Sequence, residues 1–206
     1  MKYVALEGNI GSGKTTISKM LAKSLNAKLI LEEFANNPFL AQFYQNPERY
    51  GFSLEMSFLA DRFHQLQSVV SDDLFYPITI ADYSIHKSLI FAQNSLQGNE
   101  FDLYNNLFQI IARNLRQPDL IIYLNRPLPT LLQHIKKRNR PYELGITDTY
   151  LSQIYKGYIN YFKQNKQLTV AIIDADKYNF INNLSDLKQL EKLIYQPLKP
   201  GIHLIN

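Results

Sequence analysis

Short, almost uninterrupted apolar runs alternate along the chain with stretches whose apolar residues recur every three or four positions. Strands buried on both faces carry few polar residues, whereas the helices that cover them bury one stripe each, so the alternation predicts an α/β fold with a parallel sheet flanked by helices. Strands are expected at Tyr3–Leu6, Leu29–Glu32, Ile78–Asp82, Leu120–Leu124 and Thr169–Asp174, five in all. Helices are expected over Lys14–Leu25, Phe52–Val70, Ser84–Leu96, Phe101–Arg116, Leu128–Lys137, Tyr150–Gln164 and Leu184–Leu193. In the first, Ile17, Met20, Leu21 and Leu25 share a face. In the second, Met56, Leu59, Phe63, Leu66 and Val70 form a seam at helical spacing, suited either to the chain's own sheet or to a second copy. Pro197 and Pro200 predict a surface tail over 197–206, behind a single domain of 1–196.

Composition narrows the class. A chain of 206 residues with 46% hydrophobic and 19% charged residues can bury a full core as one globular domain. Its apolar runs are too short to cross a bilayer, and Met1-Lys2-Tyr3-Val4 already reads as the first strand, leaving no room for a signal peptide. The absence of cysteine excludes disulfides and thiolate metal sites and agrees with a cytoplasmic location. A formal charge of +4 without long basic runs suits anionic small molecules, and predicts neither a nucleic-acid nor a membrane partner.

Gly8-Asn9-Ile10-Gly11-Ser12-Gly13-Lys14-Thr15 fits G-x-x-x-x-G-K-[ST] between an expected strand and an expected helix. That context makes it a phosphate-binding P-loop: successive N–H groups and the helix N-terminus form an anion nest. Lys14 is expected at the β/γ-phosphates of ATP and Thr15 at Mg²⁺, with Thr16 completing the nucleotide-binding stretch. Asp82 ends the third expected strand and is a second Mg²⁺ ligand or, on the bland reading, a cap for the next helix. Glu32 ends the second at the sheet's carboxyl edge, where a carboxylate can take the proton of an attacking hydroxyl; Glu33 is its neighbour and competitor. Arg138 and Arg140 follow a helix and either close over the transferring phosphate as a lid or compensate the helix dipole. The four histidines show no metal-ligand spacing and read as packing or surface residues. Phe34, Tyr44, Phe58 and Phe91 are candidates to line a cleft.

Taken together, these residues resemble the deoxynucleoside kinase family, which includes deoxycytidine, deoxyguanosine and deoxyadenosine kinases. The resemblance runs from about Lys2 to Asp174. It rests on the loop Asn9–Thr15, on Glu32 followed by Asn37-Pro38-Phe39-Leu40, on Tyr44-x-x-Pro47-Glu48-Arg49, on Arg62 and on Ile90-Phe91-Ala92. It implies a P-loop NTPase fold with a five-stranded parallel sheet and ATP- and Mg²⁺-dependent 5′-phosphorylation of a deoxynucleoside. It also implies a homodimer joined through helices. By the same resemblance Glu32 is the catalytic base, Tyr44 and Glu143 hold the sugar 3′-hydroxyl, and Arg62 contacts the base. Arg138 and Arg140 clamp phosphates from a lid at about 136–146. Relatives of the family occur fused to a pteridine pyrophosphokinase, an association the resemblance allows here.

Two positions depart from the family pattern. Asp82-Tyr83-Ser84 stands where an arginine usually follows the acid, leaving Lys87 as the nearest substitute cation. Glu55 stands where the family has a glutamine that bonds the nucleobase. An ionised glutamate only accepts hydrogen bonds, so Glu55 favours an edge made of donors, as guanine's N1–H and N2–H₂ are, with Arg62 facing O6 and N7. Pterins share that edge. The rival readings are a nucleoside monophosphate kinase and a nucleotide-binding regulator with weakened chemistry.

Overall fold

The computed structural model describes residues 2–34, 37–69, 75–143 and 145–205. Six strands form one parallel sheet in the order β2-β3-β1-β4-β5-β6. They are β1 (Lys2–Glu7), β2 (Lys28–Ile30), β3 (Ile78–Ala81), β4 (Leu120–Asn125), β5 (Thr169–Asp174) and β6 (Gly201–Ile205). The helices are α1 (Lys14–Ser24), α2 (Leu40–Gln45), α3 (Pro47–Leu66), α4 (His86–Ser95), α5 (Gly98–Ala112), α6 (Leu128–Arg138), α7 (Asp148–Gln164) and α8 (Leu184–Tyr195).

Strand alternation distributes the core to two faces. Val4, Leu6, Ile78, Ile80, Leu120 and Ile122 pack against Ile17 and Leu21 of α1 and Leu187 and Leu190 of α8. Tyr3, Ala5, Ile121 and Tyr123 pack on the other face against Leu59 of α3, Ile90 of α4, Tyr104 of α5 and Tyr158 of α7. β1 lies between β3 and β4, so the order reverses at its carboxyl end, where open α/β sheets bind ligands.

The structure corrects the expected elements at the end of the chain and at the start of α3, and adds the short helix α2, which was not expected. The end of the chain is a sixth strand rather than a tail: β6 pairs with β5 from Thr169↔Gly201 to Ile173↔Ile205. Ile202 and Leu204 remain exposed there and only Ile205 packs against the core, so this edge is held chiefly by backbone pairing. α3 begins at Pro47, five residues before the expected Phe52, because Asn46 caps it by accepting from Arg49 N–H at 3.2 Å with proline at the first position. Its expected end, Val70, lies outside the described residues. The remainder of its seam faces the chain's own core, with Leu59 and Leu66 buried and Met56 and Phe63 packed against them. That packing accounts for Leu59 and Leu66, and leaves Met56 and Phe63 only partly buried.

Candidate active site

The loop between β1 and α1 is shaped from outside. Gly11 has φ +85°, and a Cβ there would sit 2.7 Å from the Leu131 carbonyl oxygen of α6. Gly13, at φ +92°, makes the left-handed turn into α1. Four loop carbonyls are occupied: Gly8 and Asn9 accept from Lys14 Nζ at 2.8 and 2.9 Å, Gly11 from His134 Nδ1 at 2.8 Å, and Ser12 from Arg126 Nε at 3.0 Å. With its carbonyls so taken, the loop keeps amides for an anion. Arg126 also ion-pairs with Asp176, and Thr130 donates to the same carboxylate at 2.8 Å. Sequence reasoning passed over Arg126 and counted His134 as a packing or surface residue. The one available signal was Arg126 at the sheet's carboxyl edge, immediately after β4.

Asp82 does not cap α4, whose cap position is Ile85 without a side-chain bond. Its Oδ2 accepts from Thr15 Oγ1 at 2.5 Å and its Oδ1 from Glu32 N–H at 2.8 Å, joining the start of α1 to the end of β2. Glu7 supports the same corner from below: Ser84 N–H and Oγ donate to its Oε1 at 2.7 Å and Tyr158 Oη to its Oε2 at 2.8 Å. Burial raises the Glu7 carboxyl, although its three donors and the nearby lysines pull the other way.

Glu32 lies two residues past β2 and is held by two cations. Arg62 donates from Nε at 2.9 Å and Nη2 at 2.8 Å to Oε1, and Lys87 Nζ pairs with Oε2. Burial alone would raise the Glu32 carboxyl, but Lys87 and Arg62 outweigh it and hold it down to about 2. Lys87 thus supplies the charge that Tyr83 cannot; the Tyr83 ring is buried in the core and its hydroxyl bonds Gln65. Burial and the neighbouring Lys87 charge bring Lys14 down to about 8.

One cleft of about 800 Å³, part of it open to solvent, is lined by Ile10, Gly11, Lys14 and Thr15 of the loop, by Asp82, and by Glu32. Its walls also carry Tyr44, Glu55, Arg62, Lys87, Arg138, Arg140 and Glu143, together with Phe34, Phe58 and Phe91. The sites picked from separated stretches of sequence therefore meet in one place.

Comparison with known proteins bears on this arrangement. The family model described as deoxynucleoside kinase matches residues 4–198. The chain belongs to the deoxynucleoside kinase family. It is 38% identical to a deoxyguanosine kinase of Bacillus subtilis (strain 168), over 91% of this chain and 93% of that one. With a deoxyadenosine kinase of Dictyostelium discoideum it shares 31% identity over 96% of this chain and 80% of that one. A solved deoxyadenosine kinase from M. mycoides with bound dATP superposes with a TM-score of 0.78 at 24% identity, covering 94% of this chain and all of the other (100%), which establishes the likeness of fold. Enzymes of this family have the P-loop NTPase fold, and this kinase carries it with six strands rather than the expected five.

Within the kinase, several expected partnerships take another form. Glu143, 5% exposed, is engaged by Arg138, whose Nε and Nη2 each lie 2.6 Å from its carboxylate, and more loosely by Arg140 at 3.5 Å. Arg140 also lies over the Phe34 ring, 4.7 Å from its centroid. Tyr44 lines the cleft edge-on to Tyr150, and burial with Glu143 nearby raises its hydroxyl. Arg62 spends Nη1 on Ser88 Oγ at 2.8 Å besides its bonds to Glu32, so it braces the acid from within the cleft wall. Glu55 and Arg62 form no ion pair among the described residues; Glu55 Oε1 accepts from Ser95 Oγ at 3.0 Å and its Oε2 is buried with no partner. Burial pushes the Glu55 carboxyl up to about 7 against the pull of Arg62 and Ser95. No helix among the described residues is long and apolar enough to cross a membrane.

Proposed function

We propose that the chain transfers the γ-phosphoryl group of ATP to the 5′-hydroxyl of a purine 2′-deoxynucleoside, with guanine preferred. The observation that carries this reading is the meeting of Lys14 and the doubly braced Glu32 in one cleft whose wall also includes Glu55. The residues present fit Mg·ATP: the loop has its carbonyls tied back, and Thr15 Oγ1 and Asp82 Oδ2 are two hard oxygens 2.5 Å apart. So small a protein ligand set suits Mg²⁺, which retains waters and binds phosphate oxygens. Gly8 through Thr16 would hold the phosphates, and Thr15 and Asp82 the metal. When bound, Mg·ATP supplies the phosphoryl group and spreads its developing charge.

Glu32, ionised throughout the working range, accepts the proton of the 5′-hydroxyl as that oxygen attacks; Lys87 and Arg62 fix its orientation. Lys14, Arg138 and Arg140 stabilise negative charge on the transferring group, the arginines from the segment 136–146, of which Leu144 lies outside the described residues. Tyr44 and Glu143 hold the sugar. Because Arg138 sits on Glu143, an arriving phosphate and 3′-hydroxyl would divide that pair between them. Ionised Glu55 accepts from N1–H and N2–H₂ of guanine. The same proposal includes a cytoplasmic homodimer, with exposed Leu103 and Ile110 of α5 as its contact.

The test is a turnover panel with Mg·ATP, offering the four deoxynucleosides, the matching monophosphates and a pterin. Deoxyguanosine as the best acceptor is the expected outcome. Preference for monophosphates would make the chain a nucleoside monophosphate kinase, and silence across the panel would leave a nucleotide-binding regulator.

A further inference from the structure

Glu55 differs from Glu7, Glu32, Asp82 and Glu143, the other buried acids around the cleft. Each of those has both carboxylate oxygens engaged, whereas Glu55 has Oε1 bonded to Ser95 and Oε2 without a partner among the described residues. The side chain is 2% exposed and lines the cleft. Groups facing it come from five further elements of the fold besides its own helix. Arg62 shares α3, Lys87 belongs to α4 and Glu32 follows β2; Tyr44, Tyr104 and Tyr150 come from α2, α5 and α7. Both cations in that set are already paired with Glu32. A bare buried oxygen with no cation of its own holds a proton readily, and burial places the carboxyl at about 7, where both forms coexist near neutrality.

The two forms show a ligand different faces. The carboxylate presents acceptors only, matching the N1–H and N2–H₂ donors of guanine. The neutral acid presents an O–H donor beside a carbonyl acceptor, the arrangement of a glutamine amide, and matches adenine's N1 acceptor beside its N6–H₂ donor. Resting on the kinase reading above, we infer that Glu55 selects the nucleobase in two protonation states, so that one cleft phosphorylates deoxyguanosine through the carboxylate and deoxyadenosine through the neutral acid. Each nucleoside then draws the site into the form it needs: deoxyguanosine binding expels a proton and deoxyadenosine binding takes one up.

The experiment measures kcat/KM for both nucleosides between pH 6 and 8, where neither base titrates. Effects of pH on Lys14, Glu32 or the donor act on both reactions and cancel in the ratio. The ratio of deoxyguanosine to deoxyadenosine is expected to rise about tenfold per pH unit, since it follows the ratio of ionised to neutral Glu55. In Glu55→Gln the ratio is expected to be flat and to favour deoxyadenosine. Calorimetry of the unaltered enzyme at pH 7 in two buffers of different ionisation enthalpy should show proton release with the first nucleoside and uptake with the second. Turnover of both with a flat ratio, turnover of deoxyguanosine alone at every pH, or a slope that survives Glu55→Gln overturns the inference while leaving the kinase reading in place. Turnover of neither overturns both.

Discussion

Glu32 and Glu55 are glutamates in the wall of one cleft, both withdrawn from water, and they end in opposite states. Glu32 has an arginine fork on one oxygen and a lysine on the other; Glu55 has a single hydroxyl on one oxygen and nothing on the second. Removal from water pushes both upward; at Glu32 the charges of Lys87 and Arg62 overturn that push and hold the carboxyl at about 2, whereas at Glu55 Arg62 and Ser95 do not, and it stands at about 7. Placement in the cleft does not decide what a carboxylate does there. A permanently charged acid suits proton acceptance beside a phosphate, and a poised one suits reading a neutral ring.

That contrast is broken most severely at the charged acid. Glu32→Gln should lower kcat by about 10³-fold while leaving ATP binding within about twofold, as measured by nucleotide titration, because the variant keeps the shape and loses the proton acceptor. Unaltered turnover would strip Glu32 of its role. Removing one brace moves Glu32 toward the condition of Glu55. Lys87→Met should lower kcat by about 10²-fold and shift the acid limb of the pH–rate profile to higher pH, since a carboxyl with one cation fewer takes up protons sooner. Lys87→Arg should recover most of the loss, and a profile identical in Lys87→Met and the unaltered enzyme would refute the brace.

The same contrast governs stability, with opposite signs. Glu55 has a raised folded-state value, so its contribution is complete below the unfolded carboxylate range and is lost as pH rises through about 7. Glu32 is depressed, so its contribution is present above that range and is lost as pH falls toward about 2. Relative to Glu55→Gln, the unaltered chain should lose about 3 kcal/mol between pH 4 and pH 9 in urea unfolding, and a difference independent of pH would show that Glu55 is not buried as described. The smallest effect concerns Lys14. Its charge is present below about 8 and fades above, so the Kd for ATP should weaken by about fourfold from pH 7 to 8.5, read by titration calorimetry.

Much of this was legible in the chain itself. The loop ending in Lys14 and Thr15 announces itself because glycine spacing and flanking elements are local. So do the four inner strands β1, β3, β4 and β5, because burial on both faces leaves apolar runs; β2, at the sheet edge with Leu29 exposed, spans Lys28–Ile30 rather than the expected Leu29–Glu32. Glu32 was marked by its place at the end of an expected strand, whereas the roles of Tyr44, Glu55, Arg62 and Glu143 came only through likeness to a family, since nothing local marks a side chain in a helix or loop as facing a cleft. Lys87 stood out merely as the nearest cation to a missing arginine; its pairing with Glu32 depends on the angle between α4 and the end of β2, which no periodicity encodes. Arg126 and the sixth strand were missed for a related reason. One acts through a backbone carbonyl 114 residues away, and the other is held by a backbone ladder, so side-chain chemistry reveals neither.

The tied-back carbonyls of the loop carry a kinetic consequence. Its curvature is settled when the chain folds, by His134 on the Gly11 carbonyl and Arg126 on the Ser12 carbonyl, rather than each time a nucleotide arrives. Capture of the donor then amounts to docking on a finished receptor, and its association rate should follow solvent viscosity and ionic strength instead of a slow rearrangement of the protein.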